Sequence, residues 1–138
     1  MKKIAVDNQI LGEVIIETLN RRQKAAFMVK GRSMMPFFKD GKTIVSLDKK
    51  KHYNKNDVIF FRYKGHLKLH RIINIKNDDI IACGDYLFQK EHIKHDDIIG
   101  YVESFQTKDN IIDTNQFTYR LSVQLWKIVK PVIRIFLR

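Results

Sequence analysis

Between Asn8 and Leu19 the apolar positions recur at helical spacing. Ile10, Leu11, Val14, Ile15 and Leu19 fall on one face, and Glu13 and Glu17 on the other. This predicts an amphipathic helix over 8–20, with Asp7 or Asn8 placed to cap it. From Ala25 to Phe105 the period shortens to runs rich in Val, Ile, Phe and Tyr. Strands are expected near Ala25–Lys30, Thr43–Leu47, Asp57–Tyr63, Leu67–Ile75, Ile80–Cys83 and Ile98–Phe105. Turn-like segments separate them: Asp40-Gly41, Asn54-Lys55-Asn56, Lys64-Gly65, Asn77-Asp78-Asp79 and the stretch His92–Asp97. Short strands without helices between them predict a mainly β fold, a small, mostly antiparallel sheet or barrel-like unit. Asp109–Thr118 reads as a polar connection, and 119–138 returns to helical periodicity as a basic amphipathic C-terminal helix.

Composition narrows this picture. A chain of 138 residues fits one domain, 1–138, and buries enough surface to fold without disulfide or metal. The single cysteine, Cys83, excludes an internal disulfide and any Cys-rich zinc module, and its apolar run suits a small core residue. The net charge of +11 points to an anionic partner, yet it is uneven. Residues 120–138 hold Arg120, Lys127, Lys130, Arg134 and Arg138 with no acid, which leaves an ordinary +6 elsewhere. Asp7, Asn8, Gln9, Gly12 and Glu13 interrupt any apolar core after Lys2 and Lys3, so neither a secretory signal nor a membrane span is expected and the protein is placed in the cytoplasm.

Two segments carry candidate chemistry. The first is Gly31-Arg32-Ser33-Met34-Met35-Pro36-Phe37-Phe38, apolar where turns are usually polar. Pro36 biases Met35 towards extended backbone, and Gly31 permits a close approach just before Ser33. A serine there can project its hydroxyl into a cleft, or it can serve only as a helix cap. Ser46 and Ser104 fall within strands and Ser122 on the C-terminal helix, so none has a comparable setting. The second segment is Gly65-His66-Leu67-Lys68-Leu69-His70-Arg71-Ile72, where His66, Lys68 and His70 share one strand face. A serine hydroxyl needs a base, and neutral imidazole serves without the desolvation that lysine requires. Lys68 and His70 stand about 7 Å apart along the strand, so one hydroxyl bonds directly to only one of them. The bland alternative is the polar face of a half-buried strand.

In these boxes the chain resembles the signal peptidase I and SOS-repressor (LexA-like) serine peptidases, over roughly 27–102. Gly31, Ser33, Met34 and Pro36 match the nucleophile box, Asp57-Val58-Ile59-Phe60 the following strand, and His70-Arg71-Ile72 the base box. Gly84-Asp85 matches the late acidic box, and Ile99-Gly100-Tyr101-Val102 the closing strand. The resemblance implies a cofactor-free β peptidase domain acting on a peptide or protein substrate. Ser33 would be the nucleophile and His70 the general base, as in the endoplasmic-reticulum and archaeal type. Asp85 would orient His70 or support the site, and Met34 and Pro36 would contact substrate. The chain departs from the pattern at Lys42 and Asn56, both in turns, and its late box continues as Tyr86-Leu87-Phe88 without the usual Asn. The rival reading is a non-catalytic β-domain that binds a peptide, nucleic acid or lipid in the same cleft.

Other signals are weaker. Glu91-His92-Ile93-Lys94-His95-Asp96-Asp97 fits no specific zinc spacing and reads as a solvated loop. Lys49-Lys50-Lys51 and Phe60-Phe61-Arg62-Tyr63-Lys64 are explained by a lysine turn beside a core strand, so nucleic acid is not favoured. In the tail, Leu121, Leu125, Ile128, Val129, Val132, Ile133 and Phe136 line one helical face. Ten Leu, Ile, Val and Phe residues there gain roughly 3–6 kcal/mol in a bilayer, while Lys127, Lys130 and Arg134 cost roughly 8–10, so the tail does not span. Two expectations stay open: the stripe packs on the sheet or on another copy, or the tail makes peripheral contact with an anionic membrane.

Overall fold

A computed structural model describes residues 8–136. The cap candidate Asp7, the paired Lys2 and Lys3, and Arg138 lie outside the described residues. Helix α1 (Asn8–Asn20) precedes eight strands: β1 (Ala25–Met28), β2 (Ile44–Asp48), β3 (Val58–Tyr63), β4 (His66–Lys76), β5 (Asp79–Cys83), β6 (Lys90–Ile93), β7 (Ile98–Gln106) and β8 (Ile111–Asp113). Helix α2 (Phe117–Phe136) follows. The strands form one open, antiparallel sheet in the order β1-β2-β7-β3-β4-β5-β6, with β8 added beside β7. The mainly β, antiparallel expectation therefore holds, and β6 and β8 are strands the sequence did not suggest. Their sequences explain why. Lys90-Glu91-His92-Ile93 carries three charged or titratable side chains, and β8 is only three residues long.

Central position explains β3. Flanked by β4 and β7, it is covered on both faces, so Val58-Ile59-Phe60-Phe61 is continuously apolar. Val58 and Phe60 enter one buried cluster with Ile15, Leu19, Phe27, Val45, Leu47 and Val102. Ile59 and Phe61 enter a second with Ile72, Ile80, Ala82 and Ile93. Tight turns fix the register. Lys64 and Gly65, at φ +50° and +80°, close the β3–β4 hairpin in left-handed backbone. Asn56 sits at φ +81°, where asparagine is the best substitute for the usual glycine.

Helix α1 buries less of its stripe than its periodicity suggests. Ile15 and Leu19 are buried, while Ile10 and Val14 face outward. The inward face passes through Gly12, where a Cβ would run into the Leu67 methyl. Among the described residues, no helix is long and apolar enough to cross a membrane.

Candidate active site

Strand β5 pairs with β4 only from Arg71 onward. Among the described residues, His66–His70 consequently pairs with β3 alone and leaves its other edge bare. Strand β1, the end of the sheet, likewise pairs only with β2 among the described residues. Between these two edges lies a cavity of about 230 Å³. Phe27, Val29, Phe60, Leu67 and Leu69 give it apolar walls, Leu11 of α1 reaches its rim, and Ser33, Lys68 and His70 all line it. Residues of the two segments singled out by sequence thus meet at one site.

Ser33 sits in a tight loop between β1 and β2. Gly31 donates its N–H to Asp40 Oδ1 at 2.8 Å, and Met35 N–H to the Arg32 carbonyl at 3.1 Å. Gly31 stands at φ +86°, and a Cβ there would meet nothing. Backbone conformation, not the expected close approach, is what glycine supplies at this position. The close approach occurs across the site. A Cβ on Gly84 would lie 2.8 Å from the Ser33 carbonyl oxygen, which accepts the Tyr86 N–H at 2.9 Å. The late Gly-Asp box therefore braces the serine loop through its backbone.

His70 is buried, and its Nδ1 lies 2.7 Å from Glu91 Oε1, itself buried. Phe61 packs edge-on against the imidazole, ring centroids 6.1 Å apart. With Nδ1 engaged by a carboxylate, Nε2 is the nitrogen left for another partner. No hydrogen bond joins Ser33 Oγ to His70 among the described residues. Lys68 is half-buried, with Nζ 5.7 Å from the centroid of the Tyr63 ring.

Asp85 does not reach His70, contrary to the orienting role expected of it. Its two oxygens accept from Arg71 Nε and NH2 at 2.8 and 2.7 Å, a buried bidentate pair that Tyr119 Oη joins at 3.1 Å. Alternation along β4 explains the swap, because adjacent residues face opposite sides and only Arg71 points towards Asp85. Burial disfavours the Arg71 charge, but Asp85 and Tyr119 outweigh it and raise the pKa above its ordinary value. Asp85 also donates its N–H to Met34 Sδ at 3.4 Å, so its link to the serine loop is real but indirect.

The two proposed substrate contacts also separate. Met34 lines the cavity from within the core, at 1% exposure. Pro36 lies outside it and lines a groove with Phe37, Phe105 and Ile112 on another side. Glu91 is the residue sequence reasoning missed, having read it as part of a solvated loop. One signal was available: period-two alternation places Glu91 on the same face as Ile93, an unusual site for an acid without a buried partner.

Residues 2–102, well over half of the chain, match the family model described as Peptidase S24-like. No protein with a curated description matches the chain.

Proposed function

The chain belongs to the peptidase S24-like family, and on that premise we propose that it is a serine endopeptidase in which Ser33 is the nucleophile, His70 the base and Glu91 the carboxylate that orients the base. The observation that carries this reading is the cavity between two bare strand edges, lined by Ser33 and by a histidine whose Nδ1 is held by a buried carboxylate. An extended peptide can bond its backbone to such edges and present a carbonyl to Ser33. Ser33 Oγ forms a bond to that carbon as its proton passes to His70 Nε2. Backbone N–H groups of the serine loop hold the oxyanion. Collapse breaks the C–N bond, His70 returns the proton to the leaving amine, and water then hydrolyses the acyl-enzyme by the same steps. Asp85 supports the site by fixing Arg71 and, through Gly84 and Tyr86, the serine loop.

The test is labelling with a fluorophosphonate probe, with the modified residue mapped by mass spectrometry. Ser33 of the native protein takes up the probe, whereas the denatured protein and Ser33→Ala do not. His70→Gln labels far more slowly, and Lys68→Ala retains most of the parent rate. Equal labelling of the parent and Ser33→Ala overturns the nucleophile, and a dead Lys68→Ala beside an active His70→Gln overturns the base. An unlabelled native protein favours the rival binding domain.

A further inference from the structure

Helix α2 is mounted with its apolar stripe outward. Phe117, Ile128, Ile135 and Phe136 are 77%, 71%, 71% and 81% exposed, and Leu121, Leu125, Val129 and Val132 continue the stripe between them. The expectation that this face packs on the sheet is therefore not met. The opposite face holds the helix to the body. Trp126 Nε1 donates to the Asp85 carbonyl at 2.8 Å, Lys130 Nζ to the Gly84 carbonyl at 3.0 Å, and Tyr119 and Val123 are buried. These ties leave the stripe facing solvent along the whole helix.

What covers it is indicated by charge. Arg120, Lys127 and Arg134 recur at seven-residue intervals where the stripe meets the body: Lys127 Nζ donates to Asn56 Oδ1, the Arg134 guanidinium lies 4.8 Å from the centroid of the Phe88 ring, and Arg120 is exposed. Burial lowers the Lys127 pKa, with Lys55 and Arg71 adding to the effect, so positive charge is concentrated along this border. No acid occurs anywhere in α2. A second copy docked stripe to stripe would bring basic borders together with no helix carboxylate to pair them. A surface that is apolar beneath and anionic above satisfies both parts of the helix. We propose that α2 docks in the plane of an anionic lipid bilayer, with Phe117, Leu121, Leu125, Ile128, Val132 and Ile135 among the acyl chains and Arg120 and Arg134 at the headgroups. The Gly84–Asp85 segment that braces the Ser33 loop also carries α2, so docking would hold the cavity beside the bilayer. The proposal does not rest on peptidase activity.

Co-sedimentation of the full chain with vesicles tests it. Phosphatidylcholine vesicles containing phosphatidylglycerol should pellet the protein at about 0.05 M salt and much less at about 0.5 M. Pure phosphatidylcholine should pellet little. Ile128→Ser/Ile135→Ser, at exposed positions, should abolish binding while circular dichroism stays unchanged. Arg120→Gln/Arg134→Gln should weaken it by about 5-fold per arginine. Equal binding to neutral and anionic vesicles, or full binding by the serine variant, overturns the proposal. A lipid-free dimer lost in Ile128→Ser/Ile135→Ser, with no vesicle binding by the parent, assigns the stripe to a second copy and also overturns it.

Discussion

His70 and Arg71 are neighbours in β4, and each holds a buried carboxylate, but the two pairs serve different ends. Glu91→Gln keeps the volume and one hydrogen bond at Nδ1 but removes the charge that stabilises an imidazolium. Fluorophosphonate labelling of Ser33 should slow by about 10²–10⁴-fold, with most of the folding stability retained. Asp85→Asn instead strands the Arg71 guanidinium, and breaking such a pair costs about 3–5 kcal/mol, read as a lower urea midpoint. Comparable stability losses in both variants would refute the division of roles. Cys83 supplies a control. Burial pushes its thiol up, although Lys130 pulls the other way, and a protonated thiol is a poor nucleophile. Iodoacetamide at pH 8 should modify Cys83 slowly in the native protein and rapidly in urea, without changing the labelling of Ser33.

At the scale of elements, the serine loop and the end of β5 behave as one unit because Gly84 admits no side chain. Gly84→Ala must displace the Ser33 carbonyl, and should slow the labelling of Ser33 as well as destabilise the fold. Gly31→Ala meets no atom and bears only the strain of its positive φ, about 1–2 kcal/mol, so it should slow labelling less. Tyr119 ties α2 to Arg71, and burial pushes its phenol up against the opposing pull of that guanidinium. The folded chain keeps this proton after the unfolded chain begins to lose it near 10.0. The stabilisation is complete below that pH and is lost as pH rises through the raised folded value. Tyr119→Phe should therefore lose less stability than the parent between about pH 9 and 11, measured by urea unfolding. Central strands such as β3 were legible because burial on both faces writes an unbroken apolar run. Strand β6 was not, because Glu91 is inward-facing but charged, and its partner His70 lies twenty-one residues away. The stripe of α2 was legible as a stripe. Its direction was not, because periodicity does not record that Trp126 and Lys130 find carbonyl acceptors on the body.

Across the whole molecule, the family boxes lie where the sheet changes its pairing. The bare half of β4 begins where β5 leaves it at Arg71, and the serine loop follows β1 at the sheet's end. The candidate residues were readable as motifs, but the gap between the edges depends on strand order, which no local pattern encodes. That gap has a cost in colloidal behaviour. A bare edge templates any extended chain, including the same edge in another copy, and so offers a start for aggregation. Charge opposes this: the chain carries +11, and Lys30 and Lys68 stand beside the cavity itself. Repulsion of this kind fades as salt shortens the screening length to about 3 Å near 1 M. Light scattering by concentrated protein should accordingly rise with salt, and Lys68→Glu should bring the onset to lower salt. Electrostatic repulsion between copies is then what keeps an edge open for a guest strand from becoming the seed of a fibril.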